Sequence, residues 1–323
     1  GIRKNKMNAD FLKSIGFEVL GDFEKIQKGG SARAFFRFLD KNLGNLIFCE
    51  YSGEREENFL YADIAKFLSQ SGVNVPDVYF HDKQKQILVM RDAGKTDLLD
   101  FCKTAEKSEI SAFYKKTLLN AAILHEKATK AHLKNPVKLM PGFDEALYEW
   151  ERNYFFENLI ENRLKLNPEK PLDEWKTIGQ ILESQALIHR DFQSQNVIVN
   201  GGEVFFIDFQ GMRFGSFWYD LGSLLFDPYC EQLTAGLREE LADFYCETRK
   251  IKFDEKAFYA ASSQRLMQAL GAYAYLSGVK NKPEYSNYIA PALKNLKICL
   301  KKANLAKTLE IAEAAQKKLE ETE

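Results

Sequence analysis

The stretch HRDFQSQNVIVNGGEVFFID, residues 189–208, decides the fold of this chain. Two short runs of β-branched and aromatic residues flank an Asn-Gly-Gly turn at residues 200–202, a pattern that predicts a tight β-hairpin. Asn196 enters the first predicted strand and Asp208 leaves the second, so the hairpin should bring them side by side. Asp191 lies on the loop just upstream. The sequence therefore predicts three polar side chains gathered on one loop and hairpin.

These three side chains suit phosphoryl transfer. That reaction needs a carboxylate to orient and deprotonate the acceptor hydroxyl, and oxygen ligands for Mg²⁺ at the phosphates. Asp191 can supply the first, and Asn196 and Asp208 the second. Each residue alone is an ordinary turn or strand-end residue, but their order on one hairpin favours the catalytic interpretation. His189 is interpreted as a buried prop for the loop.

The elements around the hairpin divide the chain in two. Residues 1–90 carry predicted strands, interrupted by one helix within 54–72. From residue 97 the apolar residues recur at helical spacing, and helices are predicted at 108–130, 143–165, 172–184, 235–250, 254–278 and 284–318. The expected fold class is α+β and bilobal, with a small β-rich N-lobe, a hinge at 91–96 and a larger, mostly helical C-lobe at 97–323.

Composition excludes several classes of protein. The chain has 323 residues, a net charge of −1, and 28% charged residues without a basic block, which argues against nucleic acid as a partner. Its apolar runs are far shorter than the roughly 20 residues that span a bilayer, and the first 16 residues lack the apolar core of a secretory signal. The five cysteines are scattered, as in proteins of a reducing compartment, so a cytoplasmic location is expected.

The segment HRDFQSQNVIV, followed by IDFQGMRFGSFWYDLGSLL, resembles the aminoglycoside phosphotransferase-like branch of the protein-kinase-like fold. Within that branch it is most similar to bacterial kinases of the anomeric hydroxyl of N-acetylmuramate and N-acetylglucosamine. The resemblance implies ATP or GTP as co-substrate with Mg²⁺, Asp191 as catalytic base, and Asn196 and Asp208 as metal ligands. It also implies that Asp220, in WYDLGSLL, steadies the catalytic loop through hydrogen bonds.

A glycine-rich turn lies between two predicted strands of the N-lobe, in KGGSARAFFRF at residues 28–38. Gly29 and Gly30 allow backbone N–H groups to face phosphates without a side chain in the way. The resemblance places Ser31 on the β-phosphate. Arg33 or Arg37 could add positive charge there, with an exposed strand arginine as the alternative.

The next strand, NLIFCEY, lacks the lysine that kinases usually carry for the α- and β-phosphates. Three explanations are open: Arg33, Arg37 or Lys28 supplies the charge, Mg²⁺ and backbone donors suffice, or the chain no longer catalyses. The backbone of Met90, Arg91 and Asp92, where the lobes join, is the predicted edge for the nucleotide base.

The acceptor is expected beside Asp191, walled by the predicted helices at 143–165 and 254–278. Glu145, Glu149 and Glu151 could form a surface for a cationic acceptor or could be a solvated helix face. Arg213 and Arg265 could contact a carboxylate or phosphate on a sugar, or pair with acids nearby. Three hypotheses remain: an amino-sugar kinase, a kinase of an aminoglycoside or amino alcohol, and a non-catalytic nucleotide-binding protein.

Overall fold

The structure is a computed structural model that describes residues 9–26 and 33–321. An antiparallel sheet of five strands, in the order β1-β2-β3-β5-β4, forms the N-terminal part. Its strands are β1 (Val19–Ile26), β2 (Ala34–Asp40), β3 (Gly44–Glu50), β4 (Val78–Asp82) and β5 (Ile87–Arg91). The predicted phosphate-binding residues Gly29, Gly30 and Ser31 lie outside the described residues.

Helices cover both faces of this sheet. Helical backbone at residues 9–14 (α1) lies on one face, where Leu12 packs among buried phenylalanines of β2 and β3. On the other face a 3₁₀ turn at Glu56–Leu60 leads into α2 (Tyr61–Gln70), which buries Ile64 and Leu68. The strands can bury both faces because apolar side chains occur at successive positions of β3.

The predicted hairpin is confirmed. β8 (Val197–Asn200) pairs with β9 (Glu203–Phe206), and the turn residues Gly201 and Gly202 have φ of 58° and 82°, which glycine adopts without a steric penalty. β6 (Thr96–Asp97) extends this hairpin into a three-stranded sheet, while β7 (Ala186–Ile188) pairs with β10 (Arg213–Gly215).

The remaining chain is helical. Its α-helices are α3 (Leu98–Cys102), α4 (Lys107–Ile123), α5 (Thr129–Lys134), α6 (Glu145–Phe155), α7 (Leu172–Ile181), α8 (Phe217–Leu225), α9 (Ala235–Arg249), α10 (Glu255–Gly278), α11 (Ile289–Lys302) and α12 (Ala306–Glu320). π-helical segments follow α4 and α6, at Leu124–Ala128 and Phe156–Arg163. The prediction of an α+β chain, with strands first and helices after, is confirmed. No helix in the described ranges combines the length and apolar character needed to cross a membrane.

The helix predictions differ from the structure in several places, including the short helices α1 and α3, the C-terminal helices and α8. The single helix predicted over 284–318 is two helices, because Asn304 takes a left-handed conformation with φ of 59° and the chain turns between α11 and α12. Helix α8 has no counterpart among the predicted helices. Eight of its nine residues are buried, and a short apolar run of this kind does not by its pattern distinguish a buried helix from a buried strand.

Candidate active site

The loop that precedes the hairpin is held by a buried carboxylate. Asp220, on α8, has no exposed surface. Its Oδ2 accepts a hydrogen bond from the backbone N–H of His189 at 2.6 Å, and its Oδ1 accepts from the N–H of Arg190 at 2.9 Å. Arg190 has φ of 76°, a left-handed conformation that is costly for a residue with a Cβ. The two hydrogen bonds therefore fix a strained backbone immediately before Asp191.

A chain of buried side chains orients Asp220 in turn. His125 Nε2 lies 3.0 Å from Asp220 Oδ2, and His125 Nδ1 lies 2.7 Å from the hydroxyl oxygen of Tyr245. Asp220 Oδ2 accepts this hydrogen bond as it accepts that from the N–H of His189, so Nε2 carries the proton and Nδ1 accepts from the tyrosine hydroxyl. Arg249 donates to that hydroxyl at 2.8 Å. Burial lowers the pKa of His125, which favours the neutral imidazole that this arrangement requires.

Asp191 lies between two arginines. Arg190 NH1 is 3.7 Å from Asp191 Oδ2, and Arg265 NH2 is 3.8 Å from Oδ1. The Asp191 side chain is 37% exposed, so a small acceptor can reach it. Desolvation raises the pKa of Asp191, but the charges of Arg190 and Arg265 outweigh this effect and hold the pKa below its usual value. The carboxylate is therefore ionised near neutral pH, as orienting a hydroxyl requires.

Asn196 and Asp208 come together through the backbone of the hairpin. The N–H of Ile207 donates to the carbonyl oxygen of Asn196 at 3.0 Å. The side-chain Nδ2 of Asn196 donates to the carbonyl of Asp191 at 2.8 Å, so its Oδ1 is the atom that can ligate a cation. An amide oxygen and a carboxylate are the ligand types that Mg²⁺ takes. No cluster of three or more metal-binding side chains occurs among residues 9–26 and 33–321, so a cation here would need further ligands from phosphates or water.

Arg33 reaches Asp208 from the residue before β2. Its guanidinium donates to Asp208 Oδ1, and Gln210 Nε2 donates to the same oxygen at 2.7 Å. Burial lowers the pKa of Arg33, but the charge and the hydrogen bond of Asp208, with smaller contributions from other groups, together outweigh burial, and the net pKa is raised. A guanidinium from the residue before β2 thus lies against Asp208, whereas the residues of β3 include no lysine or arginine.

β3 contributes a thiol to the same region. Cys49 lines a small pocket under the sheet together with Arg33 and Tyr61. Burial raises the pKa of Cys49 to about 12, so the thiol is neutral. Tyr61, on α2, stacks on Phe209 with ring centroids 4.6 Å apart. The pocket therefore has neutral side chains at Cys49 and Tyr61, and Arg33 is the cation that lines it.

Arg37 occupies a different place. Its Nε donates to Asp92, and its NH1 lies 3.4 Å from Glu24 Oε2. The pair with Asp92 connects β2 with the segment that follows β5, and the pair with Glu24 connects β2 with β1. Arg37 is thus engaged where the two sheets join, whereas Arg33 faces the hairpin.

The predicted base-binding backbone is largely engaged in the sheet. Met90 lies opposite Val78 of β4 and also pairs with β3. The N–H of Arg91 donates to the carbonyl of Asp77 at 2.8 Å, and the N–H of Asp92 donates to that of Asn45 at 3.1 Å. The N–H groups of Arg91 and Asp92 are therefore already hydrogen-bonded, and a nucleotide base would have to bind other backbone groups of this segment.

The three glutamates considered for a cationic acceptor lie in different environments. Glu149 is exposed on α6, and Glu145 Oε1 is 2.5 Å from Arg152 NH2. Glu151 has no exposed surface, and its carboxylate accepts hydrogen bonds from Tyr219 at 2.9 Å and from a glutamine of α10 at 3.0 Å. Burial raises the pKa of Glu151.

Arg265 belongs to a pocket beside Asp191. Its Nε donates to Ser223 Oγ at 3.1 Å, and the pocket wall also includes Gln193 of the catalytic loop and Tyr273 of α10. Arg265 thus links this pocket to Asp191. The arrangement provides a small polar and aromatic chamber next to a positioned carboxylate.

A family model for a phosphotransferase enzyme family matches residues 22–259. The chain belongs to this phosphotransferase family. An N-acetylmuramate/N-acetylglucosamine kinase of Pseudomonas putida is 22% identical over 281 residues, which cover 82% of this chain and 79% of the relative. The family match spans the loop and the hairpin of residues 189–208.

Solved structures of other phosphotransferases share the fold. A choline kinase of Streptococcus pneumoniae is 16% identical, with a TM-score of 0.61, and the match covers 90% of this chain and 98% of the other. A spectinomycin phosphotransferase, solved with ADP and spectinomycin, is 14% identical, with a TM-score of 0.64. The match covers 97% of this chain and 98% of the other. The bilobal, protein-kinase-like fold of this phosphotransferase is therefore established.

His189 packs inside the phosphotransferase core. Its Nε2 lies 2.8 Å from the carbonyl oxygen of Ile207, and its ring contacts those of Phe192 and Phe206. The ring thus ties the catalytic loop to the end of β9.

Two residues of the site were not singled out from the sequence. His125 orients Asp220 from the far side, and Arg190 flanks Asp191. Arg190 adjoins the predicted base in sequence, which was an available signal. His125 lies near the end of a predicted helix, where a lone histidine indicates nothing specific; only the tertiary fold brings it to Asp220.

Proposed function

We propose that this protein is a small-molecule kinase that transfers the γ-phosphate of a nucleoside triphosphate to a hydroxyl group. The acceptor we propose is an N-acetylated amino sugar, phosphorylated at its anomeric hydroxyl. Family membership and the amino-sugar kinase activity in the name of the Pseudomonas putida relative support this assignment.

One observation carries the proposal: an ionised, reachable carboxylate stands next to a pair of oxygen ligands. Asp191 is fixed by the loop that Asp220 holds, and the side chain of Asn196 is hydrogen-bonded to the backbone of Asp191 itself. In phosphoryl transfer the protein mainly positions the hydroxyl and stabilises charge on the phosphates. Asp191 would orient and deprotonate the hydroxyl, and Arg33 would contribute positive charge on the phosphate side.

We assign Asn196 and Asp208 as the residues that would hold Mg²⁺. An amide oxygen and a carboxylate fit this hard cation. When bound, Mg²⁺ supplies neutralisation of the phosphate charge. Arg33 donates to the same carboxylate, so it would keep Asp208 oriented towards the phosphates.

The choice of a sugar over a cationic acceptor rests on the charges near Asp191. Glu149 points to solvent, and Glu151 is buried with two donors already in place. Arg190 and Arg265 lie within 4 Å of Asp191. A positively charged aminoglycoside or amino alcohol would face these guanidinium groups, which disfavours its binding.

The experiment is an acceptor panel with ATP or GTP, containing N-acetylated amino sugars, aminoglycosides and choline or ethanolamine. Mass spectrometry of the product gives both the acceptor class and the phosphorylated position. We expect an amino sugar 1-phosphate as the main product. An aminoglycoside or amino alcohol product would replace the sugar assignment.

Asp191→Asn is the matched control, because it keeps the size of the side chain and removes its charge. We expect kcat to fall by about 10²-fold or more while nucleotide affinity stays close to that of the wild type. Nucleotide binding without turnover of any acceptor by the wild-type protein would contradict the kinase assignment.

A further inference from the structure

A buried arginine close to Asp191 forms no ion pair within 4 Å with an acidic residue of the described ranges. Arg213, on β10, is 7% exposed. Within the described residues its guanidinium makes one hydrogen bond, from Nε to the carbonyl of Gly211 at 3.0 Å, and it lies 5.7 Å from the ring centre of Phe143. The carboxylates of the described chain all lie beyond ion-pair distance from it. The two terminal nitrogens of a nearly buried cation therefore have donors to offer a ligand.

The electrostatic surroundings of Arg213 are unfavourable as they stand. Burial lowers its pKa, and the charge of Arg190 lowers it further, while the charges of Asp191 and Glu57 act in the opposite sense with a smaller effect. A buried, incompletely paired cation is costly to a protein. An anion placed against Arg213 and Arg190 would offset this cost.

The positions of Arg213 and Arg190 indicate whether the acceptor or the nucleotide would carry the anion that they bind. Phe143, against the guanidinium of Arg213, lies just before α6, and Arg190 NH1 is 3.7 Å from Asp191 Oδ2. Arg213 thus lies towards the start of α6, and Arg190 lies beside the carboxylate that would meet the acceptor hydroxyl. Arg33 instead faces Asp208 next to the pocket under the N-terminal sheet.

We propose that Arg213, together with Arg190, binds a carboxylate carried by the acceptor while the acceptor hydroxyl meets Asp191. A guanidinium presents paired N–H donors that match the two oxygens of a carboxylate. This inference rests on the proposed function and narrows it: an acidic amino sugar is preferred over its neutral counterpart.

The test compares N-acetylmuramate, which carries a lactyl carboxylate, with N-acetylglucosamine, which lacks it. The measured quantity is the ratio of kcat/KM for the two sugars in the wild type and in Arg213→Met. We expect the ratio to fall by about 10-fold or more in the variant, because the lost interaction is made by one sugar only. The rate with N-acetylglucosamine should change by less than about three-fold.

Arg238→Met is the matched control. Arg238 also donates to a backbone carbonyl, that of Leu225 at 3.0 Å, and its guanidinium lies 4.6 Å from the ring centre of Phe226. Arg238→Met should lower the stability about as much as Arg213→Met does, and it should leave the ratio of kcat/KM for the two sugars unchanged. If Arg213→Met fails to fold, Arg213→Lys keeps a charge without the paired donors and should lower the ratio by a smaller factor.

A ratio that is the same in the wild type and in the Arg213 variants would overturn the inference. The inference would also be overturned if Arg213→Met raised the KM for the nucleotide and slowed the reaction of both sugars equally. The anion that Arg213 binds would then be a phosphate of the nucleotide. Calorimetric binding of N-acetylmuramate without nucleotide separates this inference from the catalytic assignment. If the wild type binds N-acetylmuramate but phosphorylates no sugar, and Arg213→Met weakens that binding, the proposed function is wrong and the carboxylate subsite is retained. If the wild type does not bind N-acetylmuramate, the carboxylate subsite is wrong.

Discussion

At the scale of single residues, Arg33 is the cation that lies against Asp208. If it serves the phosphates in place of a lysine on β3, Arg33→Met should raise the KM for nucleotide by about 10-fold or more and lower kcat as well. Steady-state kinetics over a nucleotide titration measure both effects. Arg37→Met is the comparison, because Arg37 pairs with Asp92 at the junction of the sheets and should influence stability more than nucleotide KM.

Cys49 offers a rescue for the same prediction. Its side chain lines the pocket that Arg33 also lines. Adding Cys49→Lys to Arg33→Met returns a cation to the pocket from the adjacent strand, and we expect part of the nucleotide affinity to return. Unchanged nucleotide KM in the Arg33→Met single variant would show that this cation has no role at the phosphates.

Tyr245 permits a test of the support behind Asp220. Tyr245→Phe removes the hydroxyl that donates to Nδ1 of His125, and an unsatisfied buried acceptor costs about 1–3 kcal/mol. We expect the free energy of unfolding to fall by that amount and kcat to fall modestly with an unchanged KM. Urea denaturation and steady-state kinetics measure the two effects. Tyr79→Phe, on an exposed tyrosine of β4, should change neither quantity.

At the scale of elements, Asp40 connects β1 to the turn between β2 and β3. Its carboxylate accepts backbone hydrogen bonds from Glu18 at 2.7 Å and from Asn42 and Leu43 at 2.9 Å each. Desolvation raises its pKa, but these donors outweigh it and the net pKa is lowered. The stabilisation is therefore present above the unfolded-state pKa of about 3.9 and is lost as the pH falls through the folded-state pKa.

Asp40→Asn should accordingly lower the free energy of unfolding by about 1–3 kcal/mol near neutral pH. Thermal unfolding at a series of pH values should show that the difference in stability between Asp40→Asn and the wild type decreases as the pH falls. Asp63→Asn is the control, because Asp63 forms an exposed ion pair with Lys83 worth roughly 0–1 kcal/mol. If the difference in unfolding free energy between the wild type and Asp40→Asn stays the same in acid, the backbone donors do not stabilise the charged form of Asp40.

The elements show where local sequence suffices for prediction. The Asn-Gly-Gly turn defined the hairpin, because positive φ at Gly201 and Gly202 is a property of those residues themselves. The proximity of Asn196 to the strand that ends before Asp208 follows from that turn. Helix α8 was not predicted, because a short and almost completely buried run does not by its pattern distinguish a helix from a strand.

The site shows the opposite case. Arg33 and Asp208 are far apart in sequence, and so are His125 and Asp220, and no local pattern pairs them. The same holds for Glu151, which was considered as a cation-binding residue and is buried against Tyr219. Which acids are paired, and with what, is decided by tertiary packing. This is why the reaction class followed from the sequence more readily than the acceptor.

At the scale of the whole molecule, contacts between the N-terminal sheet and the helical part occur at the site itself. Arg33 bridges to Asp208, and a Cβ on Gly94 would lie 3.1 Å from Cβ of Asn200 in the hairpin turn. Gly94 also has φ of 130°, which other residues rarely adopt. The segment after β5 thus approaches the hairpin closely because it carries a glycine. We propose that residues 91–96, which include it, are the hinge between the lobes.

The histidines predict how the stability of the whole chain depends on pH. Burial lowers the pKa of His81, His125 and His132, so the unfolded chain binds protons more readily below a pH of about 6.5. Stability should therefore decrease as the pH falls through that value; Glu151 and Asp227, whose pKa values burial raises, act in the opposite sense. Urea unfolding between about pH 8 and pH 6 measures the slope. The double variant His81→Gln/His132→Gln should show a shallower slope than the wild type, and an equal or steeper slope would exclude these two histidines as its source.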